Sequence, residues 1–89
     1  GEPAIIDSLG WVYFKLGRNN QAIDLLQQAY DKFPDPEVAA HLGEALWSTG
    51  KRDAARVIWR GSLERHPDST HLTSAIERLG ADLDALPDD

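Results

Sequence analysis

The chain has 89 residues, a formal net charge of −6, no Cys and no Met. That length holds one domain or a piece of one, and the missing Cys excludes a disulfide framework, a thiolate metal site and a cysteine nucleophile. Hydrophobic residues make up 42% and charged residues 27%, which is globular rather than disordered; the acidic balance argues against nucleic acid, and no apolar run approaches the ~18 residues of a membrane span.

The first predicted element starts at Pro3, a residue suited to the first turn of a helix because its missing N–H is not needed there. Ile5, Ile6, Leu9, Val12, Tyr13 and Leu16 follow at helical spacing. Gly17 is its stop, as a residue free to take positive φ. Asn20 is the expected cap of a second helix, whose apolar face is Ala22, Ile23, Leu25, Leu26, Ala29 and Tyr30. Pro34 ends it. Asp35 and Pro36 then cap and open a third helix carrying Val38, Ala39, Leu42, Ala45 and Leu46, with Gly50 as its stop. Asp53 is the expected cap of a fourth, with Ala55, Val57, Ile58, Trp59 and Leu63, ended by Pro67. A fifth begins near Asp68 or Ser69 and runs to about Leu79, with Gly80 as its stop. Leu72, Ala75, Ile76 and Leu79 give this last helix one apolar stripe, and Thr70, Ser74, Glu77 and Arg78 keep the rest polar, as a terminal capping helix requires.

The elements repeat. A shift of 33 laid from residues 3–35 onto 36–68 makes seven positions identical without a gap: Pro3/Pro36, Leu9/Leu42, Gly10/Gly43, Gly17/Gly50, Ala22/Ala55, Pro34/Pro67 and Asp35/Asp68. Self-similarity at that period predicts an all-α solenoid of two helix-turn-helix units, 3–35 and 36–68, followed by a capping helix at 69–80 and an acidic tail at 81–89. The charge follows the same division: −2 over 1–35, 0 over 36–68 and −4 over 69–89. The acidic end is expected to be a solvating tail. The polar cap at one end only, with no initiator Met at the other, suggests an excerpt of a longer solenoid.

The pattern resembles the tetratricopeptide repeat, a helix-turn-helix unit of about 34 residues. The first unit matches its signature with Ile6, Leu9, Gly10, Tyr13, Ala22, Leu26, Ala29 and Pro34, and the second with Ala39, Leu42, Gly43, Leu46, Ala55, Trp59, Ser62 and Pro67. The signature Trp is replaced in both units, and the second lacks the Tyr and the later Ala. The segment Asp7-Ser8-Leu9-Gly10-Trp11 also looks like late repeats of multi-repeat bacterial proteins, cytoplasmic or envelope-associated. The resemblance implies a right-handed superhelical stack in which small residues (Gly10, Gly43, Ala22, Ala55) let helices approach and Tyr13, Leu26 and Trp59 fill the spaces between them.

The resemblance further implies that the first helices of the units line a concave groove for a segment of another protein. Carried over by position, the groove is Asp7, Trp11, Phe14 and Lys15 from the first unit, Ala40, Glu44, Trp47 and Ser48 from the second, and Thr73 and Glu77 from the capping helix. Trp11, Phe14 and Trp47 are packing between neighbouring first helices, anchors for a ligand, or packing against an upstream repeat; the three readings stand at this stage. Asp7, Glu44 and Glu77 favour a basic or apolar segment as partner. Some family members clamp the acidic C-termini of chaperones with Lys and Asn; the matching positions here hold neither, so no such binding is expected. The alternative function is an end-cap of a longer scaffold, or self-association through the exposed N-terminal face around Ile5, Ile6 and Val12.

On the opposite face, Arg52, Arg56, Arg60 and Glu64 lie four apart, a predicted exposed stripe beside Lys51 that reads first as a solvated convex face and second as a docking strip for an acidic partner or the chain's own tail. Catalysis, cofactors and metals are not expected. His66 and His71 are split by Pro67 and a helix start, so they do not pair as ligands on one helix face, and His41 stands alone on its helix as a rim residue. Thr49-Gly50-Lys51 lacks the earlier Gly and the preceding strand of a phosphate loop.

Overall fold

Five helices form in the expected order in the computed structural model, which describes residues 2–84: α1 (Pro3–Lys15), α2 (Asn19–Lys32), α3 (Pro36–Ser48), α4 (Arg52–Arg65) and α5 (Thr70–Leu79). The bounds of α1 and α2, moved by 33, are those of α3 and α4, so the repeat read in the letters is also the repeat of the backbone. All regular structure among the described residues is helical.

The local signals act unevenly. Asp35 caps α3 as expected: its carboxylate accepts from the Glu37 N–H at 2.8 Å, and Pro36 opens the helix. Ser69 caps α5 by accepting from Leu72 N–H. Gly17, Gly50 and Gly80 all take the positive φ that ends their helices. Asn20 and Asp53 do not cap. Helices α2 and α4 start two residues earlier than those caps require, after Arg18 and Lys51, with no side-chain cap. The tight turn from the left-handed glycine already sets the entry, and Asp53 inside the first turn instead accepts from Arg56 at 2.7 Å.

Within each unit the two helices pair, α1 with α2 and α3 with α4; α2 then packs on α3, and α5 packs on α3 from the other side. The first helices α1, α3 and α5 thus run as neighbours in one row, with α2 and α4 behind them. Helix α3 is the centre of this arrangement. Eight of its 13 residues are buried, against only Asp7 and Gly10 in α1. The core is Leu26, Ala39, Leu42, Ala45, Ala55, Trp59 and Leu72, all without measurable exposure. Gly43 is essential to it: a Cβ there would run into the indole of Trp59, which is why the small residue of the signature faces the largest one.

The tail differs from its expectation. Ala81 and Leu83 pack against the core rather than trailing in solvent, and Arg56 Nε donates to the Asp82 carbonyl at 2.8 Å. Residues 85–89, the rest of the predicted acidic tail, lie outside the described residues.

Candidate partner-binding site

The row of first helices carries a cleft of about 250 Å³ between α1, α3 and α5. Trp11 closes it at the α1 end, Ala40, His41 and Glu44 form the α3 side, and Thr70, His71, Ser74, Ala75 and Arg78 form the α5 side.

Its walls are built from charge pairs between neighbouring helices. Asp7 is buried on α1, and His41 Nδ1 on α3 lies 2.9 and 3.2 Å from its two oxygens. A carboxylate only accepts, so Nδ1 carries the proton and, in the neutral ring, Nε2 is left as an acceptor. Glu44 is buried on α3, and both its oxygens accept from Arg78 on α5, at 2.5 and 3.1 Å. That bidentate pair is the strong form of a charge-assisted hydrogen bond. The hydrogen bond to Glu44, with its charge, raises Arg78 above the ordinary guanidinium value. A third, looser pair joins Glu37 to His71 at 4.0 Å, both partners largely exposed. All three pairs join an acid at one position to a base 34 residues on.

Aromatic stacking extends the α1 wall. The Trp11 ring lies 4.2 Å from the His41 ring at 18°, and Phe14 stacks on Trp11 at 5.1 Å. Lys15 Nζ sits 4.8 Å from the Trp11 centroid, within cation–π range. Trp47, the repeat equivalent of Phe14, belongs to a different cluster. Its neighbours are Trp59 at 5.7 Å and the guanidinium groups of Arg52 and Arg56 at 4.8 and 5.2 Å.

The ten residues expected in the groove therefore divide. Trp11, Ala40 and Glu44 line the cleft, and Asp7 stands behind it as the partner of His41. Phe14 and Lys15 continue the stack beyond Trp11. Trp47, Ser48, Thr73 and Glu77 are outside the lining, the last three exposed. The acidic character expected of the groove changes with this. Asp7 and Glu44 are already paired within the chain, and only Glu77 remains open to a ligand's cation. Sequence reasoning missed His41, His71 and Arg78 as wall residues. The signal was present as acid-to-base pairs at a spacing one residue longer than the repeat.

The exposed Arg stripe on α4 is also corrected. Arg52, Arg60 and Glu64 are exposed, but Arg56 is buried, held by Asp53, the Asp82 carbonyl and the face of Trp47. With Ala81 and Leu83 packed against the core, the returning segment reaches that point of the helix at Asp82. Among the described residues no cluster of three or more His, Cys, Asp or Glu side chains is disposed to hold a metal ion.

The geometry of paired helices in a 33-residue register agrees with comparison to known proteins. The family model described as Tetratricopeptide repeat matches residues 13–87. The chain belongs to the tetratricopeptide repeat family. Proteins of this family are in general protein–protein interaction modules. The chain is also similar to a TPR repeat-containing protein of Pseudomonas aeruginosa, 51% identical over 43 residues. That match covers 48% of this chain and 7% of the relative, so the chain corresponds to a small part of the relative's length.

Proposed function

We propose that this tetratricopeptide chain is a non-catalytic interaction module that holds a segment of a partner protein in the cleft between Trp11 and Arg78. The observation that carries the reading is that all three first helices contribute to one open cleft whose walls are fixed by inter-helix pairs. Pre-fixed walls lower the ordering cost of binding. Trp11 and the alanines offer apolar surface, and Thr70, Ser74 and the Nε2 edge of His41 offer hydrogen bonds. With Asp7 and Glu44 satisfied internally, the segment in the cleft is mainly uncharged, and a basic residue is favoured only near Glu77. The test is a peptide-display selection, followed by affinity measurement of a selected peptide by fluorescence anisotropy. Trp11→Ala and Arg78→Ala are expected to weaken it about tenfold or more, and Val57→Ala on the exposed face of α4 to leave it unchanged. Equal loss in all three, or in none, overturns the reading.

The alternative, an end-cap of a longer scaffold, draws support from a separate observation. Trp47 packs at a tilt against Trp59, and Arg56 ties the returning tail beside it. For Trp47 a packing role is the better reading; for Trp11, at the cleft, the binding role is.

A further inference from the structure

The fold uses only half of the hydrogen-bonding capacity of His41. Its Nδ1 lies 2.9 and 3.2 Å from the two oxygens of Asp7, an acid only 6% exposed. Its ring stacks on Trp11 at 4.2 Å and 18°, so its plane is held as well as its edge. Turning the ring over would set a C–H against the carboxylate in place of the N–H, so the ring keeps one orientation. Nε2 has no hydrogen-bond partner among the described residues. It is also not one of their buried partnerless atoms, which are Trp59 Nε1 and Ser62 Oγ. That nitrogen is open on the cleft that His41 lines.

Asp7 decides what Nε2 can do. A carboxylate only accepts, so the proton stays on Nδ1 and the neutral ring presents Nε2 as a bare acceptor. Without Asp7 the proton is free to sit on Nε2 and turn it into a donor. Arg78 supplies the opposite sense. It spends one N–H from each terminal nitrogen on Glu44, three of its five remain, and its side chain is 57% exposed.

His41 and Glu44, the partner of Arg78, stand one turn apart on α3, about 4.5 Å along its axis. An extended chain rises about 3.3 Å per residue, so neighbouring peptide units of one segment reach both groups, with N–H to His41 and C=O to Arg78. A helical segment has spent those groups on its own internal bonds, and one turn of it fills about 400 Å³. The cleft holds about 250 Å³.

We propose that Asp7 is a positioning residue that holds His41 as an acceptor, and that His41 Nε2 selects an extended partner segment by one backbone N–H. The inference rests on the reading of the cleft given above.

Two measurements on the unaltered chain test it. Side-chain nitrogen-15 NMR, at about pH 8.5 where imidazoles are ordinarily neutral, is expected to show His41 protonated on Nδ1 and bare on Nε2. Asp7→Ala is expected to move the proton to Nε2. The second measurement takes the tightest peptide of the display selection and replaces each backbone amide in turn by an ester. One position is expected to lose about tenfold in affinity, because its ester oxygen meets Nε2 acceptor to acceptor. His41→Ala is expected to bind the amide and ester forms of that position alike. His41→Ala and Asp7→Ala each weaken the amide peptide, and the double variant loses no more than His41→Ala alone.

A proton on Nε2, or on both nitrogens, in the unaltered chain overturns the proposal. So does an ester series with no sensitive position, or a sensitive position that stays sensitive in His41→Ala. These results leave the cleft reading standing as long as Trp11→Ala and Arg78→Ala weaken the peptide. If those two variants do not, the cleft reading itself fails and takes the selective role of His41 with it.

Discussion

Two helices with matching letters have opposite environments. Leu9 and Leu42 are the same residue at the same position of the repeat, yet Leu9 is 45% exposed and Leu42 is 0%. Ile5 and Val38 differ in the same way, at 64% and 4%. Composition cannot explain this, since α1 is at least as apolar as α3. Position in the stack does. Helix α3 has α2 on one side, α5 on the other and α4 behind, whereas α1 has only α2 behind it and the edge of α3 beside it. In a solenoid, burial belongs to a place in the array more than to a residue.

Paired substitutions make that contrast measurable. The largest effect is expected at the two signature glycines. Gly43→Ala drives a methyl into the rigid, fully buried Trp59 and is expected to cost about 3 kcal/mol or more, while Gly10→Ala meets the movable Leu26 and costs about 1 kcal/mol. Urea unfolding monitored by circular dichroism checks both, and equal losses would break the comparison. Next come the leucines. Leu42→Ala is expected to destabilise by about 2–4 kcal/mol and Leu9→Ala by under about 1 kcal/mol, by the same measurement. Comparable values would mean that α1 is covered in solution.

The tryptophans sharpen the contrast from packing toward use. Trp47→Ala opens the cluster with Trp59 and is expected to lower stability by about 2 kcal/mol, while Trp11→Ala lowers it less and takes peptide affinity with it. Thermal melts beside anisotropy titrations separate the two. The smallest effect is expected at the tail. Arg56→Gln removes the hydrogen bond to the Asp82 carbonyl, and loss of about 1 kcal/mol is expected. Faster amide exchange at residues 81–84 is its local readout, and unchanged exchange would show that apolar packing of Ala81 and Leu83 alone holds the segment.

Much of this fold was legible because its signals are local. Proline at the first turn of α1 and α3, glycine after α1, α3 and α5, proline after α2 and α4 and a 33-residue echo over the first four helices mark the elements, and the resemblance carried by Leu9, Gly10 and Ala22 leads to the right family. The caps at Asn20 and Asp53 misled because the glycine turn had already fixed the helix start. The site was less legible. Of the positions transferred from the family, Trp11, Ala40 and Glu44 line one cleft, but a list of groove positions says nothing of what each carboxylate meets. Whether Asp7 and Glu44 are free or paired depends on His41 and Arg78, whole helices away in sequence. The Arg56 stripe failed for a similar reason: periodicity shows which residues share a face, and not that a returning tail covers one of them.

The charge pairs have a consequence for how such an array can be built or rearranged. Both junctions use an acid and a base 34 residues apart, but at different places along the helix: Asp7 with His41 at the first, Glu44 with Arg78 and Glu37 with His71 at the second. Were the two units exchanged, Glu44 would face Val12 and Asp7 would face Ser74. Two buried carboxylates would lose their bases, a penalty for any charge held largely away from water. The units share a backbone but are not interchangeable parts. Their order along the chain is written into the polar contacts at each seam, which reject any other sequence of assembly.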